Sequence, residues 1–461
     1  MEQNTFYQKM RRIALPITVQ SVFQAALSLI DQMMISDMGD ASVAGVGLCI
    51  RFISIFSVIM STIVTVAGIL IAQYKGKGDM DGVRASFYAN IYLIFVILAF
   101  FIGGALCYPS QIMSLYSADS GAISCAVIYM RMIVFGFIPQ VIALMLSTLL
   151  RNYDSANSVM YASGISVLIN TLFNYLLIYG VGVFPRLGIT GAALATNIAR
   201  LVEMVIILGV YLKVRKKHGL SLKMVFSFEA SFGVKIAKIL APILCSELLW
   251  SLGENAYAII YGHLGTDQCA AMSLTYPLQG LAIGALTGVS AAAGMIVGES
   301  LGAGDKEKAM ADSKRLIRLT LLAGAVLSIL ITLLAPYYIR IFHTSGSAKA
   351  YATFILYAYA LVFPGKIMNM VLGGEILRSG GQTKYTMAIV IGATWLVGVP
   401  LGFITAYLLH WPIYLVYFAL SLEEYVRVAL KTVVFKSRKW MVNLADDGSV
   451  AAISDMEEAT A

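Results

Sequence analysis

Stretches of about 20 consecutive apolar residues recur along nearly the whole chain, and no other feature limits its fold as much. As a helix, each is long enough to cross a hydrocarbon core of ~30 Å, where every backbone polar group must find its partner within the protein. Strands of a membrane barrel would give much shorter, half-polar segments. Composition agrees, since 59% of the 461 residues are hydrophobic and only 13% charged. A soluble chain of this length carries about a quarter charged residues. The expected class is an all-α polytopic membrane protein.

The apolar runs predict twelve transmembrane helices over 13–36, 47–73, 88–109, 123–150, 157–179, 189–213, 238–262, 270–299, 315–338, 350–378, 385–409 and 412–436. The basic start (Lys9, Arg11, Arg12) followed by an apolar stretch resembles a signal peptide. The stretch, however, runs from Ile13 to about Ser36, contains Asp31 and has no small-residue cleavage site, so a retained first helix is expected.

The formal charge of +8 is unevenly placed. Lys and Arg gather in the N-terminus and the even-numbered connections, for example Lys75, Lys77 and Arg84, then Arg215, Lys216 and Lys217, then Lys306, Lys308 and Lys314. The odd-numbered connections hold only Arg186, Arg340 and Lys349. The positive-inside rule then puts both termini in the cytoplasm, which requires an even number of spans. A monomer in the cell's inner membrane is expected, with the lipid bilayer and small amphipathic molecules as partners and no nucleic acid. The five cysteines show no CxxC spacing and only four histidines are present, so no zinc site is expected. A Cys107–Cys125 bridge and five free packing cysteines are both left open.

Sliding the chain on itself by 226 positions aligns its two halves. Pro16 meets Pro242, Gly39 meets Gly265, Ala67-Gly68 meets Ala293-Gly294, and Gly76-x-Gly78-Asp79 meets Gly302-x-Gly304-Asp305. With small shifts Pro139 pairs with Pro364 and Leu150-Arg151 with Leu377-Arg378. The expected organisation is two pseudo-symmetric six-helix lobes, 1–220 and 238–440, joined by a basic cytoplasmic linker 221–237 and followed by an acidic disordered tail 441–461. Each half has an even number of spans, so both enter the membrane in the same sense, the arrangement of parallel transporter repeats. Duplicated halves of this kind can rock about a cavity, which makes transport the leading function.

Gly188-Ile189-Thr190-Gly191-Ala192-Ala193-Leu194-Ala195-Thr196 opens the sixth span with residues small enough for close helix approach. Together with Pro16 and Asp31 fifteen residues on, the two Gly-x-Gly-Asp turns and the two Leu-Arg pairs, it resembles the MATE (multidrug and toxic compound extrusion) family over roughly residues 10–440. That resemblance implies an antiporter exporting amphipathic, cationic compounds against H⁺ or Na⁺, with no cofactor. No phosphate-binding loop of the G-x-x-x-x-G-K-[ST] kind is present to suggest direct use of ATP.

Charges embedded in a bilayer are costly and so are candidates for function. Topology places Asp31, Asn170, Asn174 and Thr196 at one depth in the outer part of the N-terminal half. A carboxylate with amide and hydroxyl oxygens suits a hard cation or a bound proton. The MATE resemblance assigns its N-lobe cation site to the same four positions; the second Asn is commonly Asp in that pattern. Glu247 and Glu254, seven residues apart in the seventh span, form a candidate substrate or second coupling site, with pairing to Lys366 or Arg131 as the structural alternative. Glu375, Arg378 and Lys384 are expected to snorkel, and Glu423, Glu424 and Arg427 to pair within the last helix. The competing functions are a lipid-linked precursor flippase, which would favour a strongly cationic cavity, and a non-transporting receptor or scaffold. An enzyme is not expected, because no nucleophile–base or metal constellation is present.

Overall fold

The computed structural model describes residues 2–36, 38, 40–218, 230–342 and 345–446. Asp37, Gly39, residues 221–229 of the expected linker and residues 447–461 of the expected tail lie outside these.

Twelve long helical rods follow one another among the described residues, with no strand. They are α1 Glu2–Ser36, α2 Asp40–Lys77, α3 Met80–Cys107, α4 Ser120–Asn152, α5 Ala156–Tyr179, α6 Ile189–His218, α7 Ala230–Gly262, α8 Thr266–Gly302, α9 Lys306–Arg340, α10 Gly346–Ser379, α11 Thr383–Leu408, and α12, made of Ile413–Ser421 and Glu423–Lys436. A short helix, Pro109–Ser114, lies between α3 and α4. Nine rods, α2–α6 and α8–α11, contain an 18-residue stretch apolar enough to cross a membrane. The other three are the rods that carry Asp31, the Glu247–Glu254 pair, and the Glu423–Lys431 charge cluster. The rods overrun the expected spans because the polar turns beyond the apolar stretch continue as helix, as at Lys75–Lys77.

The repeated Gly-x-Gly-Asp motif has a local physical cause. Gly78 and Gly304 adopt left-handed φ values of +80° and +78°, which end one helix at little steric cost. Asp79 and Asp305 then cap the next helix by accepting from the backbone N–H of Gly82 and Lys308, at 2.8 and 2.9 Å. One motif therefore closes a hairpin twice, at α2–α3 and at α8–α9.

Contacts group the chain into two units, here called the N-unit and the C-unit. The N-unit gathers Leu15–Ile71 and Asp79–Gly233; the C-unit gathers Met1–Ala14, Ala72–Gly78 and Val234–Asp447. The first turns of α1 and the last turns of α2 thus belong with the C-terminal half of the chain. In the N-unit, α5 and α6 approach closely at Gly191, where an added Cβ would crowd the carbonyl of Leu177. Ala192, Ala193 and Ala195 are buried beside it, so the small-residue motif serves packing. Phe56 of α2 stacks on Phe137 of α4 with ring centroids 4.3 Å apart. The C-unit core is built on α10, whose Ile355, Leu356, Tyr359 and Phe363 are fully buried. Three stretches in α10 and α11 widen to π-helix, Asn369–Ile376, Thr394–Gly398 and Ile404–Leu408. Such widening often marks functional segments.

Large apolar side chains point away from these cores. Phe100, Leu396 and Leu168 are 79%, 78% and 72% exposed, as suits residues that face lipid. Residues 441–446, which the sequence assigns to the tail, are instead packed, with Met441 and Ala445 buried. Residues 230–237, assigned to the linker, already form the start of α7.

Candidate functional site: a polar chain ending on Asp31

Asn170 and Asn174 sit four residues apart on α5 and therefore share a face. Asn174 Nδ2 donates to Asp31 Oδ1 on α1 at 2.5 Å and to Asn170 Oδ1 at 2.8 Å. Asn170 Nδ2 donates to Thr196 Oγ1 on α6 at 3.2 Å, and that hydroxyl donates to the carbonyl of Ala192 at 3.0 Å. All four expected N-terminal residues thus lie in one hydrogen-bonded chain from three helices. Asn170 and Asn174 are each 1% exposed, and Asn174 Oδ1 is buried with no donor among the described residues. A buried acceptor left unmet is costly, and it lies on the amide that already touches Asp31. A proton on the carboxylate or a dehydrated cation would satisfy it.

The polar face continues deeper with residues that sequence reasoning did not assign to the site. Arg200 lies four residues beyond Thr196, with its guanidinium carbon 5.8 Å from the Phe137 ring centre and Nη1 buried without a hydrogen-bond partner among the described residues. Below it, Arg151 Nη2 donates to Gln20 Oε1 at 2.5 Å, Gln20 Nε2 to Ser163 Oγ at 2.6 Å, and Ser163 Oγ to Glu203 Oε1 at 2.5 Å. The signal was present as spacing: 163, 166, 170 and 174 fall on one face of α5, as do 196, 200 and 203 on α6.

In the C-unit the two candidate acids part company. Glu247 pairs with Arg378 of α10 at 2.8 Å. Arg378 is therefore held inside rather than snorkelling, and the partner of Glu247 is neither Lys366 nor Arg131. The pairing has an N-terminal counterpart, because Arg151 reaches Gln20 across the same 131 positions. The arginine of each Leu-Arg pair thus grips the first helix of its own half.

Glu254 makes no ion pair among the described residues. It lines a cavity of about 50 Å³ with Tyr257, Tyr261, Tyr276, Gln279, Lys366 and Tyr417. The other charges there are matched. Lys366 pairs with Glu424 at 3.2 Å, and Arg427 with Glu423 at 2.9 Å and Glu424 at 3.6 Å. Asn369, from the π-helical stretch of α10, donates to Glu424 Oε2 at 2.8 Å, and Arg427 bonds the hydroxyl of Thr394 in the π-helical stretch of α11. The expected pairing within the last helix is therefore part of a larger buried network. All five cysteines are free.

Comparison with known proteins follows the same division. A family model described as MatE matches residues 16–176 and again 242–404, starts that are 226 positions apart. Among curated relatives, the uncharacterized transporter YisQ of Bacillus subtilis is 22% identical over 92% of this chain and 93% of its own length. The probable multidrug resistance protein NorM of Thermotoga maritima is 24% identical over 93% of this chain and 92% of its own. Among solved structures, a crystal structure of MATE in complex with MaL6 superposes with a TM-score of 0.84 at 20% identity, covering 97% of each chain. An outward-facing multidrug resistance MATE transporter gives 0.85 at 18% identity, covering 97% of this chain and 96% of that one. The chain is a multi-pass membrane protein of the MATE family of transporters.

Proposed function

We propose that the protein is a secondary antiporter that exports amphipathic, cationic compounds in exchange for H⁺ or Na⁺ by alternating access. The observation that carries this reading is the hydrogen-bonded chain ending on Asp31, with the orphaned carbonyl oxygen of Asn174 beside it. Asp31 is the residue that takes up and releases the coupling ion, and Asn170, Asn174 and Thr196 orient it. Embedded carboxylates of this kind mark ion pathways in membrane proteins.

Glu254 supplies the attraction for cationic substrates. Its cavity neighbours include four tyrosines, whose ring faces suit an organic cation once the cavity, about 50 Å³ here, widens to admit one. Glu247, held by Arg378, serves structure. The protein works as a monomer in the inner membrane, with both termini cytoplasmic and the two repeats, 1–220 and 238–440, as its lobes.

Efflux from inverted vesicles tests this, with fluorescent organic cations supplied under a pH gradient and a sodium gradient in separate runs. Accumulation driven by either gradient supports the antiport reading. Accumulation only with ATP, or none for any cation, contradicts it.

A further inference from the structure

Two lysines from distant parts of the chain converge on Glu299 near the end of α8. Lys9 Nζ lies 2.9 Å and Lys75 Nζ 3.2 Å from Glu299 Oε2. The turns of the repeat meet here reciprocally. A Cβ on Gly76 would collide with the carbonyl of Glu299, and one on Gly302 with the carbonyl of Gln73. Gln73 and Glu299 are themselves 226 positions apart, so each turn packs on its own repeat partner.

The segment after α12 closes over this contact. Gln73 Nε2 donates to the carbonyl of Ser379 at 2.5 Å, and its Oε1 accepts from the backbone N–H of Leu444 at 2.5 Å. Lys77 Nζ donates to the carbonyl of Ala445 at 2.7 Å, and Asn443 Nδ2 to that of Gly302 at 3.3 Å. Trp440 anchors the segment, fully buried, with its indole N–H donating to the carbonyl of Phe435 at 3.1 Å.

All of these residues lie within the C-unit, yet α1 beyond Ala14 and α2 before Ala72 run on into the N-unit. The bonds therefore hold both helices at the places where the chain passes from one unit to the other. They are also of a kind that can be released. Lys9 and Glu299 side chains remain 32% and 31% exposed, and ion pairs of that exposure stabilise little individually. Elements held by side-chain bonds to a short segment open more readily than an apolar core. The adjoining cavity of about 790 Å³ carries both signs of charge, with Lys9 and Lys75 on Glu299 and Arg315 on Asp312.

We propose that Glu299 and the segment Trp440–Ala445 form a releasable lock on the ends of α1 and α2, closed in this structure and opened in each transport cycle. The cyclic part rests on the transporter reading above; the lock itself does not. The test uses full-length protein with Cys107, Cys125, Cys245 and Cys269 replaced by serine and with Ala445→Cys, a buried position. In detergent, a hydrophilic maleimide should label the thiol introduced at position 445 slowly. Glu299→Gln, which weakens two partly exposed ion pairs, should speed labelling about three- to tenfold, and Gln73→Leu, which leaves the carbonyl of Ser379 and the N–H of Leu444 without their buried partner, should do so by at least as much. Glu307→Gln, which breaks only an exposed pair with Arg438, should leave the rate unchanged. Equal rates in all variants would overturn the lock. If Glu299→Gln gives no folded protein, Lys9→Met with Lys75→Met removes the same pairs. In vesicles, the double variant Lys77→Cys, Ala445→Cys, with its two introduced thiols joined by a reducible bifunctional reagent, should stop efflux, and reduction should restore it. Undiminished efflux in the linked protein also overturns the lock, whereas no efflux from the unsubstituted protein counts against the transporter reading alone.

Discussion

Asn174 donates its amide to Asp31 across 2.5 Å, while the carbonyl oxygen of that same amide is buried with no donor among the described residues. The pair is thus complete in its donor and incomplete in its acceptor. A site poised to gain one positive charge has this arrangement. In the coupling reading proposed here, the acceptor is met when a proton sits on Asp31 or a cation sits between the two groups, and is orphaned when either leaves.

Asn174→Asp puts a second carboxylate beside the first. Two adjacent carboxylates favour a bound cation or proton, since both cannot stay ionised unaided. Sodium chloride should raise the melting temperature of this variant above a choline chloride control, by more than it does for the unsubstituted protein, because only the folded state binds the ion. Equal shifts in the two proteins would place the cation elsewhere.

The glycine contacts make a prediction about stability alone. Gly76→Ala and Gly302→Ala each drive a methyl into a backbone carbonyl and should cost about 1–3 kcal/mol, the usual range for overpacking. Gly103→Ala, helical and with open space around its Cβ position, should instead stabilise by about 0.5–1 kcal/mol. Thermal unfolding in detergent, followed by loss of the monodisperse peak, separates the three. Similar melting temperatures for all would show that the turns tolerate a methyl.

Glu254 and Glu247 should respond differently to removal of their charge. Glu254→Gln should keep normal yield and raise the apparent KM for cationic substrates by about three- to tenfold, the loss of one attractive charge at a partly wet site. Glu247→Gln leaves Arg378 without its ion-pair partner in the membrane and should lower yield and melting temperature instead, with KM little changed. Transport kinetics with one cationic and one neutral dye, run beside thermal unfolding, distinguish the two. A KM effect confined to Glu247→Gln would reverse the assignment.

The rods were legible because a bilayer imposes length and apolarity on each segment, and the depth of Asp31, Asn170, Asn174 and Thr196 followed from span order. What the sequence hid were the partners of charge. Arg378 reads as a snorkelling residue near a helix end, since nothing local announces Glu247, 131 positions away. Arg151 reads as half of a motif, although its guanidinium holds the chain Gln20–Ser163–Glu203. Sliding the halves by 226 positions sets Glu247 against Ser21, one residue from its true counterpart by contact, Gln20. That slip concealed the symmetry of the two arginine grips. The packing of residues 441–446 was hidden for a different reason. The segment is short, and its backbone is held by the side chains of Gln73 and Lys77, long-range bonds that composition does not encode.

Asp31→Asn keeps the shape of the side chain and removes its titrating charge, so it tests the central claim most directly. An amide can neither take up nor release a proton in the working range. The variant should reach the membrane, fold at least as well as the parent because an embedded carboxylate is costly to keep ionised, and still bind substrate. Asp119→Asn, an exposed cap that Asn fills as well as Asp, serves as the control and should pump normally. The measurement is gradient-driven accumulation of a fluorescent cation in inverted vesicles. The account predicts that Asp31→Asn loses uphill accumulation while retaining substrate binding; accumulation at the parent level would place coupling elsewhere, with Glu254 the next carboxylate to remove.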